Sequence, residues 1–136
     1  MDEKYYIELA KVRLERSKEL LEETKYMLDN KSYKSANNRA FYAIEKSVRA
    51  LLATKKVETV THNGNLKQFN YLFIYKGDGT FTSEDYQIIA TAEQIRNASD
   101  YDDFYMASRS ETAQQIENAE YLVDKISQYI TGDSDA

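Results

Sequence analysis

Ser35-Ala36-Asn37-Asn38-Arg39-Ala40-Phe41-Tyr42-Ala43-Ile44-Glu45-Lys46-Ser47-Val48-Arg49-Ala50-Leu51-Leu52 is the stretch that decides the fold. Ala36, Ala40, Phe41, Ile44, Val48, Leu51 and Leu52 fall on one face at helical spacing, the core stripe of an amphipathic helix. Ser32 or Ser35 is available as its N-cap. Arg39, Tyr42, Lys46 and Arg49 form a second strip on the same helix, beside the apolar one. A basic strip with an aromatic in it can hold phosphates while Tyr42 stacks on a base, although its commoner meaning is a solvated charged face.

Upstream, Ile7, Ala10, Leu14, Ser17, Leu21, Thr24 and Leu28 mark a first helix from about Glu3 to Asp29, with Asn30 able to take a left-handed cap. Downstream, Asn63-Gly64-Asn65 interrupts the pattern, and Leu66, Phe69, Leu72 and Phe73 predict a shorter third helix. Gly77-Asp78-Gly79 is the clearest turn. Thr82 or Ser83, with Glu84 and Asp85 in the first turn, starts a fourth helix bearing Ile88, Ile89, Ala92 and Ile95. Ser108 and Glu111 predict a capping box for a fifth, with Ala113, Ile116, Ala119, Leu122 or Val123, Ile126 and Ile130 inward and Gly132 as its stop. The expectation is all-α: an up-and-down antiparallel bundle of four to five helices, one domain over residues 1–131 with a flexible tail at 132–136.

Composition narrows the chemistry. With no cysteine there is no disulfide, thiolate zinc site or cysteine nucleophile, which suits a reducing cytosol. Charges every few residues leave no span-length apolar run, so the expected setting is soluble and cytoplasmic, away from membranes. The total charge of −5 conceals an asymmetry: residues 1–56 carry 13 basic and 9 acidic side chains, and 57–136 carry 5 and 14. Between 31 and 56 there are 7 basic residues and a single acid, Glu45, so the local field is positive. Lys76 to Asp85 resembles half a calcium loop, but Ile74 and Lys76 would fill its first and third ligand positions. That segment therefore predicts a turn and a helix cap. With one histidine and scattered carboxylates, neither a metal nor a cofactor is expected.

Two further segments carry polar side chains at helix positions. His62, in Thr61-His62-Asn63-Gly64, lies at a helix boundary, where its commoner role is capping or hydrogen bonding. Arg96 and Asp100 are four apart, as are Asn97 and Tyr101. The plain reading of Arg96 and Asp100 is an intrahelical ion pair contributing a few tenths of a kcal/mol.

Taken in order, Asn38-Arg39-Ala40-Phe41-Tyr42-Ala43-Ile44, Thr61-His62-Asn63-Gly64 with Phe69, and Arg96-Asn97-Ala98-Ser99-Asp100-Tyr101-Asp102 resemble the HEPN domains, specifically their small prokaryotic stand-alone members. The resemblance implies a helical bundle that commonly forms a homodimer, with polar residues of two protomers near a shared cleft. It also implies a toxin context, with a nucleotidyltransferase antitoxin as partner, and metal-independent RNA cleavage in active members. This chain departs from the active pattern, in which Arg, a short spacer and then His follow one another, because no His follows Arg96. Asp100 or Tyr101 would have to take its place, and a carboxylate with an ordinary pKa of about 3.9 is a weak base for a ribose hydroxyl.

Two functions follow from the resemblance. In one, the chain is a binding module with a degenerate motif, holding RNA, a nucleotide or a protein partner through Arg39, Tyr42, Lys46, Asn97 and His62. In the other it is a ribonuclease in which Arg96 stabilises the scissile phosphate, Asn97 orients it, Asp100 or Tyr101 handles the proton, and the 2′-hydroxyl attacks.

Overall fold

The computed structural model describes residues 2–132, and among them it contains helices and no strand. The five helices are α1 (Glu3–Asp29), α2 (Tyr33–Ala53), α3 (His62–Phe69), α4 (Ser83–Tyr101) and α5 (Arg109–Thr131); a π-helical segment (Asn70–Tyr75) continues α3. The expected tail after Gly132 lies outside the described residues.

α2 is the central element because it is apolar or small on most of its circumference: thirteen of its 21 residues are buried. It packs against α1, α3, α4 and α5. Every residue of its expected stripe is in the core. Three bonds fix α1 against it, Arg13 to the Arg49 carbonyl, buried Ser17 to the Ala43 carbonyl and Glu23 to Arg39. Positions rise along α1 as they fall along α2, so the two run antiparallel. Likewise Asn37 meets Ser99 while Phe41 meets Arg96, which sets α4 antiparallel to α2.

The caps differ in detail from expectation. Asn30 is not left-handed; Lys31 takes that conformation at φ 62°, and Ser32 at the N-cap of α2 makes no side-chain bond. The full capping box is at α4, between Thr82 and Asp85. At α5, Ser108 accepts from the Glu111 amide at 3.1 Å, but the Glu111 carboxylate accepts instead from the Tyr105 hydroxyl. The third helix is the larger difference. Past Phe69 the chain widens, with Lys76 N donating to Tyr71 O, and Phe69 and Phe73 stack inward at 6.3 Å while Tyr71 and Tyr75 stack outside at 6.0 Å. Phe73 is therefore buried against Phe81. No described helix is long and apolar enough to cross a membrane.

Candidate functional site

The three motif segments meet on one side of the bundle, around the rings of Phe41 and Tyr42. Arg96 reaches across from α4 with its guanidinium carbon 5.1 Å from the Phe41 ring centre, 5.5 Å from Tyr42 and 5.9 Å from Tyr101. His62, the first residue of α3, approaches the same two rings from the other side, 5.1 Å from Phe41 and 6.1 Å from Tyr42. Its position is set locally, because Thr61 caps α3 by accepting from Gly64 N at 2.9 Å.

On the α4 side, Arg96 makes the intrahelical ion pair that its spacing from Asp100 predicts, but at 6% exposure and not in open solvent. Among the described residues its one acidic partner is Asp100, at 3.5 Å, and its buried Nε has no hydrogen-bond partner. Asp100 also accepts from Asn38 at 2.9 Å, and Asn38 in turn accepts from Arg39 at 2.7 Å. Asn38, Arg39 and Asp100 border an open groove of about 490 Å³ that Lys34, Ser35, Ser99 and Tyr101 complete. Tyr101 is 75% exposed, and Asn97 is also exposed. At the far edge of this region, burial and the Glu111 carboxylate push the Tyr105 phenol up to about 12, with Asn37 opposing them.

The basic strip of α2 divides into tethered and untethered cations. Arg39 is held by Glu23 at 3.1 Å, and Arg49 by Glu45 at 3.5 Å and the Thr59 carbonyl at 2.9 Å. Lys46 makes no ion pair among the described residues. It opens, with Tyr42, Arg49 and His62, onto a second pocket of about 210 Å³. His62 Nδ1 lies 2.5 Å from Glu45 Oε1, and Asn65 donates to the same oxygen at 2.9 Å. Sequence reasoning missed Glu45 and Asn65. The available signal was Glu45 itself, the one acid in a basic run, placed on the edge of an apolar stripe where a solvated charge has no reason to sit. Among the described residues no cluster of metal-ligating side chains occurs.

Residues 10–129 match the HEPN domain family. The chain belongs to the HEPN family. It is similar to two curated proteins of Methanocaldococcus jannaschii. One, named "Putative toxin MJ0605", is 35% identical over 97 residues, which is 71% of this chain and 69% of the relative. The other, named "Putative toxin MJ0142", is 27% identical over 130 residues, 96% of this chain and 86% of the relative. The HEPN assignment covers all three motif segments, so the aromatic junction that gathers Arg96 and His62 lies wholly inside the matched region.

Proposed function

We propose that this HEPN chain is a toxin-type module that binds RNA or a nucleotide through its phosphates, on the face where α2 meets α3 and α4. One observation carries the reading: among the described residues Arg96 is buried with a single ion pair and a bare Nε, a charged group kept out of water with its hydrogen bonding incomplete. Burial of that kind is unfavourable unless a further partner is served. The groove beside Asp100, the ion-pair partner of Arg96, offers Lys34 and Arg39 to phosphates, and exposed Tyr101 offers a ring to a base. Lys46 extends the cationic track along α2.

Asp100 is a poor substitute for the missing histidine, because its carboxylate is already engaged by Arg96 and Asn38. This supports binding over cleavage by α4. Similarity to two proteins named as toxins supports the toxin context. We extend it to a nucleotidyltransferase antitoxin as partner and to a homodimer.

The test is titration of wild type, Arg39→Ala and Lys46→Ala with a short labelled RNA and with an adenine nucleotide at two salt concentrations. Each loss of a charge-assisted contact is expected to weaken binding by roughly 1.5–3 kcal/mol, and affinity should fall with salt as counterions are released. Unchanged affinity in both variants, or no binding by wild type, would move the assignment to a protein-partner module.

A further inference from the structure

We infer that the outer face of α3 and its π-helical continuation is a stacking platform for single-stranded RNA, with a base lying on Tyr75 and the flanking phosphates held by Lys67 and Lys76. This rests on the RNA-binding reading above and adds a second contact to it, away from the groove beside Asp100. Asn63, Lys67, Tyr71 and Tyr75 follow one another at steps of four, and all four are exposed. Steps of four keep to one face of a helix. Leu66, Phe69 and Phe73 take the opposite side of the same stretch into the core.

A merely solvated face has no use for large rings. Tyr71 is 45% and Tyr75 77% exposed, yet the two are held within 19° of parallel with their centres 6.0 Å apart. Of the two stacked ring pairs among the described residues, Phe69 with Phe73 is inside and Tyr71 with Tyr75 is outside. Lys76 Nζ lies 5.0 Å from the Tyr71 ring centre, so that ring is engaged by the lysine and by Tyr75 together. Tyr75 has no ring or cation contact besides Tyr71 among the described residues, which leaves one of its faces open to a base. The rings stand on a π-helical segment, a rare conformation that recurs at functional sites.

Charge identifies the occupant. Between Glu58 and Asp78 the chain carries His62, Lys67 and Lys76 and no acid, although residues 57–136 hold 14 acidic side chains. Neither Lys67 nor Lys76 makes an ion pair among the described residues. An apolar protein surface seated on the rings would desolvate both ammonium groups without a partner, whereas phosphates complete them. Uncompensated cations beside an open aromatic face are the pattern that binds single strands, whose bases are free to stack on a side chain. The platform is also within reach of the cations of α2. α3 begins with His62, at the pocket onto which Lys46 opens, and Tyr71 stands nine residues further on, about 13 Å at 1.5 Å per residue.

The experiment titrates the full chain, as wild type, Tyr75→Ala, Tyr75→Phe, Lys67→Ala and Lys76→Ala, with a labelled single-stranded RNA of about 12 nucleotides, a duplex of the same length and an adenine mononucleotide. Sedimentation of wild type and Tyr75→Ala runs alongside. Tyr75→Ala is expected to weaken the single strand by roughly 5- to 100-fold, as for one lost base stack, and to leave the duplex and the mononucleotide within about 2-fold. Tyr75→Phe should bind as wild type does, because the ring and not the hydroxyl takes the base, and this separates a lost stack from misfolding. Each lysine variant should weaken the single strand and flatten its dependence on salt. Single-stranded RNA bound equally by wild type and Tyr75→Ala overturns this inference and leaves the binding reading standing. Equal losses in Tyr75→Ala and Tyr75→Phe overturn it too, since a hydroxyl contact is not stacking. Unchanged RNA affinity with a lower sedimentation mass in Tyr75→Ala would make the face a contact between copies, again against the inference. Wild type that binds the mononucleotide and no RNA removes the platform alone, and binding of neither removes both readings.

Discussion

With its guanidinium stacked on Phe41 and Tyr42 at 6% exposure, Arg96 should be costly to remove. Arg96→Ala leaves a cavity and strips Asp100 of its ion pair, so a loss of about 1–3 kcal/mol is expected in urea unfolding. Asn97→Ala, one residue along on the exposed side, should stay within about 0.5 kcal/mol. Arg96→Lys is expected to behave like Arg96→Ala, since an ammonium cannot lie flat across two rings. Tyr105 gives a pH signature. Burial first and Glu111 second raise its phenol to about 12, so the folded state favours the protonated form. That contribution is complete below the unfolded phenol's value near 10 and is lost as pH rises from there towards 12. Thermal melts between pH 9 and 12 should show wild type losing stability more steeply than Tyr105→Phe. From the sequence, Arg96 was legible as a helix-face partner of Asp100. Its burial was not, because that depends on two rings presented by a different helix.

Among the elements, the turn after the π-helical segment has a steric requirement that its sequence pattern only hints at. A Cβ on Gly77 would sit 2.1 Å from the Phe73 carbonyl oxygen, a backbone atom that cannot swing aside. Gly77→Ala is therefore expected to cost about 1–3 kcal/mol, as overpacking does. At Gly79, φ is +90° and the space is open, so any loss in Gly79→Ala reports backbone strain alone, about 1–2 kcal/mol. Urea midpoints of the two variants separate these causes. The caps offer a second comparison. Thr82 works in a reciprocal box with Asp85, whereas Ser108 satisfies one amide without a return bond. Both Thr82→Ala and Ser108→Ala should destabilise by about 1 kcal/mol, with Thr82→Ala the larger. Helix positions were legible because apolar spacing and cap residues act within one or two turns. The π-helical widening was not, since Phe69, Phe73 and Phe81 stacking against one another selects it.

For the whole molecule, the proposed homodimer predicts a sedimentation mass twice that of the chain at micromolar concentration; a monomer would remove it. Phe73 is in the core and Tyr105 is engaged by Glu111, whereas Tyr101, Phe104 and Met106 are exposed near the α4 to α5 connection. Phe104→Ser should therefore shift the equilibrium towards monomer without lowering the chain's own stability by more than about 0.5 kcal/mol. The sequence by itself determined the all-helical class and the order of the three motif segments, because periodicity and caps act locally. The tertiary structure alone decided that Glu45 meets His62, that Arg96 is buried, and that His62 and Arg96 converge on Phe41 and Tyr42. Those partners lie 17 to 55 positions apart along the chain. Only the antiparallel packing of α4 on α2, with α3 capped beside them, brings such distant side chains within hydrogen-bonding and stacking range.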